Sequence, residues 1–173
     1  MRQEVIFETD RLAVRKLQMS DLEPFHTMQS NPKVLQYADG EVKSFAAHEA
    51  ELKDLIGFYE KEGNDFWIYA IERKEDQEFV GTLAFVKDDE QDDEIGFRFL
   101  EVYWGLGYGS EIGLGLIEYC KSVKMPKLIG YVIDKNKASA KILQKLGFQI
   151  IEKRIEESTG LPETKYELQL NSL

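Results

Sequence analysis

Alternating and continuous runs of apolar residues predict a domain of mixed strands and helices. Seven segments carry strand patterns: residues 12–17, 67–72, 79–86, 94–100, 128–133, 149–156 and 164–170. The run at 128–133 is almost continuously apolar, which favours a central strand. The last two segments flank a Ser-Thr-Gly-Leu-Pro turn and predict a closing hairpin.

Helix signals lie between these strands. Ser20 and Glu23 have the spacing of a capping box, which predicts that the first helix starts at Ser20. Gly63 and Gly147 stand where the second and fourth helices are expected to stop. The predicted helices cover residues 20–31, 44–62, a stretch after a glycine-rich turn up to about 124, and 136–146.

The composition restricts the partners of the protein. A chain of 173 residues without an internal repeat or linker predicts one domain over 1–173. Lys and Arg number 22 and Asp and Glu number 32, so the net charge is −10. This charge disfavours binding to nucleic acid or to an anionic membrane, because both need a basic face. It suits a cationic partner such as an amine.

Cysteine and histidine are too few for a metal site or a disulfide. Cys120 is the only cysteine, and its helical position predicts an apolar packing role. His26 and His48 fall on the first two helices and are expected to be structural. The N-terminus carries no secretory pattern, and no run approaches the roughly 18 apolar residues of a membrane span. We therefore expect a cytoplasmic protein with no metal.

The most informative segment is Trp-Gly-Leu-Gly-Tyr-Gly-Ser-Glu at 104–111, between a strand and a helix. Its glycines allow a sharp turn and a close approach to a ligand. The first amides of the following helix have no internal partner, and the helix dipole makes them an anion site. A simple tight turn is the alternative. Ser110 breaks the spacing of a dinucleotide-binding loop, so a pyrophosphate of another kind is favoured.

Two segments together resemble the GNAT N-acetyltransferase superfamily. They are 104–111 and the later Asn-Lys-Ala-Ser-Ala-Lys-Ile-Leu-Gln-Lys-Leu-Gly-Phe at 136–148, in the right structural order. The opening Glu-Thr-Asp-Arg-Leu-Ala-Val-Arg-Lys-Leu at 8–17 is similar to the branch of ribosomal-protein N-terminal acetyltransferases. The resemblance implies an α+β fold in three layers. It also implies a mixed, mostly antiparallel sheet of about seven strands, a splayed parallel pair and flanking helices.

The resemblance also implies a site for acetyl-CoA. The pyrophosphate would bind to the backbone amides of Leu106, Gly107, Tyr108, Gly109 and Ser110. The pantetheine arm would lie against the strand end at Phe99 and Leu100, between strands that splay apart. Asn136 would donate to the arm from the other side, and Ser139 would lie near the thioester sulfur.

The resemblance also indicates candidate catalytic groups. Where many family members carry a tyrosine that protonates the departing thiolate, this chain has Leu143, so Ser139 is the nearest candidate acid. Glu94 opens the strand that leads to the cofactor and is the candidate base; a solvated carboxylate of the acidic tract 88–94 is its alternative. Tyr37 lies in the region that roofs the acceptor site in the family, where it would contact substrate or simply pack.

Two functions follow from this resemblance. The first is acetyl-CoA-dependent N-acetylation of a protein N-terminus or a small amine, by direct attack of the amine on the thioester. The second is a catalytically silent acyl-CoA-binding or sensing module, which the missing tyrosine supports. A nucleotide-binding protein is a third candidate. The acceptor and a possible homodimer are left open.

Overall fold

The computed structural model describes residues 4–38 and 41–171. Their centre is a sheet of eight strands. The strands are β1 (Val5–Glu8), β2 (Leu12–Lys16), β3 (Phe66–Arg73), β4 (Phe79–Lys87), β5 (Asp93–Phe99), β6 (Lys127–Ile133), β7 (Gln149–Ile155) and β8 (Pro162–Gln169). All seven predicted strands are present. β1 is the additional strand, and its four residues are too few for an alternating pattern to stand out.

The strands follow the order β1-β2-β3-β4-β5-β6-β8-β7. Every neighbouring pair is antiparallel except β5 and β6, which are parallel. The α+β class with a mixed, mostly antiparallel sheet is therefore confirmed. A parallel pair requires a crossover, and the glycine-rich turn with its helix provides it.

In the described part of the chain, four α-helices join these strands: α1 (Leu22–Gln29), α2 (Phe45–Phe58), α3 (Tyr108–Ser122) and α4 (Lys137–Lys145). The capping box predicted at Ser20 is wrong. A short 3-10 turn at Met19–Asp21 precedes α1, and the backbone N–H of Gln18 donates to the carboxylate of Asp21 at 2.9 Å. Asp21 is committed to this turn because it also forms a buried bidentate ion pair with Arg15 at 2.9 Å.

The helices cover both faces of the sheet and make three layers. On one face, Ile112, Leu116 and Cys120 of α3 pack into a core with Leu128 of β6. On the other face, Phe25 of α1 and Leu52 and Leu55 of α2 pack against Ala70 of β3 in a second core. The packing role predicted for Cys120 is confirmed, since its side chain is fully buried.

Within residues 4–38 and 41–171, none of the helices combines the length and apolar character that a bilayer crossing requires. The same ranges contain no grouping of three His, Cys, Asp or Glu side chains suited to hold a metal ion.

Candidate active site

The parallel strands β5 and β6 separate almost at once. Their register contains one residue pair, Glu94 opposite Ile129, within the described part of the chain. Beyond it the strands splay and border a cavity of about 380 Å³. Its lining comes from β5, β6, α4, β8 and the segment before α2: Tyr37, Ala38, Glu94, Ile95, Gly96, Phe97, Arg98, Gly130, Tyr131, Val132, Ile133, Asn136, Ser139, Leu143 and Glu163. Backbone groups of β5 and β6 that would pair in a closed sheet instead face this cavity.

The glycine-rich turn lies at the N-terminus of α3. Gly105 has φ +78° and Gly107 has φ +81°, in the left-handed region where glycine is favoured. Gly107 is the N-cap of α3, and no side chain caps it. For the backbone N–H groups from 105 to 110, the described residues supply no hydrogen-bond acceptor. The turn therefore presents a row of free donors at the positive end of a helix dipole.

A loop from the other end of the chain fixes this turn. Arg11 donates from Nε to Glu111 at 2.7 Å and from Nη2 to the Leu106 carbonyl at 2.9 Å. Thr9 donates its hydroxyl hydrogen to the same Glu111 carboxylate at 2.6 Å. Partial burial by itself would raise the pKa of the Glu111 carboxyl, but the hydrogen bonds from Thr9 and Arg11 outweigh it and lower that pKa. The carboxylate in the first turn of α3 is thus paired rather than exposed to an incoming anion.

Helices α3 and α4 approach closely through glycine. A Cβ on Gly109 would lie 2.9 Å from Cδ1 of Ile142, and one on Gly113 would lie 2.5 Å from Cδ1 of Leu146. This approach brings the start of α4 toward the turn. Asn136 is the N-cap of α4, where its Oδ1 accepts from the Ser139 backbone N–H at 3.2 Å. Within residues 4–38 and 41–171, no acceptor lies at the amide nitrogen of Asn136, so its two hydrogens are available to a ligand.

The carboxylate of Glu94 borders the cavity at the point of divergence. Burial and the nearby charges of Asp88 and Glu163 raise the pKa of Glu94 to about 7, against an opposing effect of Arg154. Such a group is partly ionised near neutral pH and suited to accept a proton there.

The acidic tract is only partly solvated, since the Asp88 side chain is 6% exposed and that of Glu90 is 70% exposed. Lys165, which is 3% exposed, lies 3.4 Å from Asp88, 3.2 Å from Glu90 and 3.6 Å from Asp92. Tyr131 donates its hydroxyl hydrogen to Asp88 at 2.7 Å. Burial disfavours the ammonium, but these partners outweigh it and raise the pKa of Lys165. The tract is held against β8, where its charges act on Glu94.

Tyr37 also borders the cavity, and its hydroxyl contacts the Lys135 carbonyl at 3.4 Å. The segment that carries it is anchored by Glu101, which accepts from Asn31 at 2.9 Å and from Lys33 at 3.0 Å. Ser139 and Leu143 face the same cavity from α4. The position expected for a tyrosine therefore presents a buried aliphatic side chain.

Two predicted residues do not face the cavity with their side chains. Phe99 packs against Tyr108 in the α3 core, with ring centroids 6.2 Å apart, and Leu100 is buried in the α1–α2 core. The carbonyl of Phe99 accepts from the Trp104 indole at 2.9 Å. The part of β5 that borders the cavity is residues 94–98, one to five positions earlier than expected.

Several residues of the site escaped the sequence analysis. Arg11, Glu111, Lys165 and Glu163 act through contacts with residues far away in the chain, as the 100 positions between Arg11 and Glu111 illustrate. Arg11 and Glu111 had a signal, because both lie in segments that resemble the family, at 8–17 and 104–111.

Residues 11–149 match the family described as the acetyltransferase (GNAT) domain, a span that contains the turn, the splayed strands and the start of α4. The chain belongs to the GNAT acetyltransferase family. It is an N-acetyltransferase, and the resemblance seen in the sequence is confirmed.

Relatives and solved structures cover nearly the same length. YoaA, an uncharacterized N-acetyltransferase of Bacillus subtilis, is 30% identical over 148 residues, which span 83% of this chain and 82% of that protein. The Salmonella typhimurium enzyme that modifies the N-terminal serine of ribosomal protein L7/L12 has a TM-score of 0.81 at 17% identity, covering 97% of this chain and 100% of that one. Spermidine N-acetyltransferase from Vibrio cholerae, solved with CoA and spermine, has a TM-score of 0.78 at 16% identity, covering 92% and 96%. At these identities the two structures are similar in fold.

Proposed function

We propose that this GNAT enzyme transfers the acetyl group of acetyl-CoA to an amine that attacks the thioester directly. The observation that carries the proposal is the row of free amides at 105–110, together with a cavity between the splayed strands that Glu94 borders. The turn suits a pyrophosphate, and the cavity suits an extended arm between two strands. Both features fit the CoA that accompanies the Vibrio cholerae enzyme.

The residues present fit acetyl-CoA in a specific way. The backbone N–H groups of Leu106, Gly107, Tyr108, Gly109 and Ser110 would bind the pyrophosphate, because their direction does not depend on side chains. The side chain of Tyr108 is buried and would not contribute. Asn136 would donate to the arm from its amide nitrogen, and the cavity-facing backbone of β5 would bind the arm from the other side. When bound, acetyl-CoA supplies an activated acyl group whose thiolate leaves on aminolysis.

Glu94 would remove the proton from the acceptor, directly or through water. A lysine-like amine has a pKa near 10.4, so at pH 7 its deprotonation costs about 4–5 kcal/mol. An α-amine, with a pKa of about 7.7–8.0, needs much less. A carboxylate with a pKa of about 7 is basic enough to take part without being fully protonated at neutral pH.

Ser139 would relay a proton to the departing thiolate, giving up its hydroxyl hydrogen while it regains one, through water, from the protonated Glu94 carboxyl. It faces the cavity from the first turn of α4, and its backbone N–H is committed to Asn136. Leu143, one turn later, has no proton to donate. Tyr37, which borders the same cavity, would contact the acceptor.

The second candidate is a silent acyl-CoA-binding module, and Leu143 is the observation that favours it. An assay of CoA thiol release separates the two, with calorimetry of CoA binding in parallel. The panel should contain N-terminal peptides, polyamines and small amines. Thiol release that depends on an amine supports the enzyme. CoA binding without release across the whole panel would assign the module, and absence of CoA binding would overturn both.

A further inference from the structure

A second cavity, which the proposed reaction does not use, lies under α1 and α2. Its volume is about 300 Å³. Apolar side chains dominate its walls, with Phe25 from α1, Leu55 from α2, and Ile68 and Ala84 from the sheet. A carboxylate, Glu51, and an amide, Gln29, stand among them.

The two cavities meet along β5. Both are bordered by Gly96, Phe97 and Arg98. A Cβ on Gly96 would meet only the Cβ of Ala84, at 3.9 Å, so the space above this glycine is open. Glu94 and Gly96 lie two positions apart and therefore point to the same face of the strand. A molecule whose nitrogen lies near Glu94 can thus extend past Gly96 into the second cavity.

We infer that the second cavity binds the apolar arm of the acceptor. The acceptor is then a primary amine carrying an aromatic or branched aliphatic group on a short chain. This inference rests on the proposed acetyl transfer and specifies its substrate class. Burial of such an arm is favourable by roughly 25 cal/mol per Å² of apolar surface, and the walls of the cavity supply the matching surface.

The charges at the junction argue against a polyamine. Arg98 borders both cavities, and its Nη1 donates to Gln29 Oε1 at 2.6 Å. A second ammonium group that passed this point would meet the guanidinium charge. Glu51, the carboxylate that lines this cavity, lies 3.5 Å from Gln29 Nε2, so the second cavity itself offers an extended polycation a single negative group.

The test compares three amines at saturating acetyl-CoA: 2-phenylethylamine, ethylamine and spermidine. We expect kcat/KM for 2-phenylethylamine to exceed both others at least tenfold. In Ala84→Leu, which fills the second cavity, the ratio of 2-phenylethylamine to ethylamine should fall at least tenfold. Ala46→Leu, the same change on the exposed side of α2, is the matched control and should keep the ratio. A preference for spermidine, or an unchanged ratio in Ala84→Leu, would overturn the inference.

Calorimetry keeps this test independent of the proposed function. If no amine is acetylated, the proposed reaction fails, but binding of 2-phenylethylamine to the CoA-loaded protein still reports on the cavity. Binding that weakens at least tenfold in Ala84→Leu, and not in Ala46→Leu, supports the inference. Absence of binding to the unmodified protein overturns it.

Discussion

Arg11 and Glu111 are 100 residues apart in the chain, yet they form an ion pair of 2.7 Å beside the turn that opens α3. The pair neutralises a carboxylate in the first turn of the helix. The second contact of Arg11, to the Leu106 carbonyl, holds the turn itself. Arg11 also lies over the ring of Tyr108, 4.6 Å from its centroid.

We expect Arg11→Met to weaken CoA binding by about tenfold, or roughly 1.4 kcal/mol. The unpaired charge of Glu111 would repel the pyrophosphate, and the turn would lose a donor. Isothermal titration calorimetry measures the effect. Lys53→Met, which removes an exposed cation from α2, is the control and should bind CoA normally. Equal affinity in both variants would show that the ion pair plays no part in anion binding.

Gly107→Glu and Gly109→Glu should each reduce CoA affinity by at least a hundredfold. At Gly107 the side chain is strained by the positive φ, and at Gly109 its Cβ would press on Ile142. Both place a negative charge where phosphate would bind. Gly57→Glu on α2, where a Cβ meets nothing within 4 Å, is the matched control. Thermal melts should accompany the titrations, and a folded variant with near-normal affinity would remove the turn from the site.

The sequence predicted those features that depend on local backbone constraints. The turn with Gly105 and Gly107 is an example, because positive φ and helix-start chemistry are properties of a few adjacent residues. The core into which each of the side chains of Phe99 and Leu100 packs could not be predicted in the same way. The core that an apolar residue joins depends on the helices that pack against it. Both faces of the sheet carry an apolar core, so hydrophobicity alone does not distinguish them.

Contacts between residues far apart in the chain could not be predicted from the sequence either. The acidic tract looked solvated because Lys165 lies 73 to 77 positions away from Asp92 and Asp88 in the sequence. The start of α1 was misplaced because Asp21 has a buried arginine as its partner, and the spacing of Ser20 and Glu23 contains no trace of it.

Glu94→Gln should change the pH–rate profile. With a pKa of about 7, Glu94 is mainly the active carboxylate above neutral pH. The pH profile of wild-type kcat/KM should therefore have a limb that rises with pH around 7. The glutamine variant should lack this limb and be at least a hundredfold slower at pH 8, with CoA affinity retained. The amine's own ionisation is common to both profiles.

A second variant tests the same limb without removing Glu94. Because the charge of Asp89 raises the pKa of Glu94, Asp89→Asn should shift the limb to lower pH. A profile unchanged in both Glu94→Gln and Asp89→Asn would exclude Glu94 as the base.

Glu94→Gln should also alter stability, in a direction fixed by linkage. The folded-state pKa of about 7 exceeds the usual unfolded value near 4.3, so the wild type loses stability as pH rises from about 4.3 to about 7. Glutamine carries no such charge. Relative to wild type, the variant should therefore gain about 1–2 kcal/mol between pH 5 and pH 8, reduced by partial solvent access. Urea unfolding at both pH values measures this, and a constant difference would contradict the raised pKa.

Ser139→Ala should lower kcat by about 10- to 100-fold and leave CoA affinity within threefold. The loss follows from removal of a hydroxyl that would protonate the leaving thiolate. Ser139→Thr retains the hydroxyl and should recover most of the rate. Comparable kcat values for the alanine and threonine variants would assign proton donation to water or to another group.

The burial of Cys120 has a practical consequence for every kinetic test above. Its side chain is fully buried, and that burial raises the pKa of its thiol to about 12. The folded protein therefore offers no reactive sulfur to a disulfide dye, since the thiolate is the attacking form. Colour development in such an assay would report free coenzyme alone, and a slow protein background would signal unfolding.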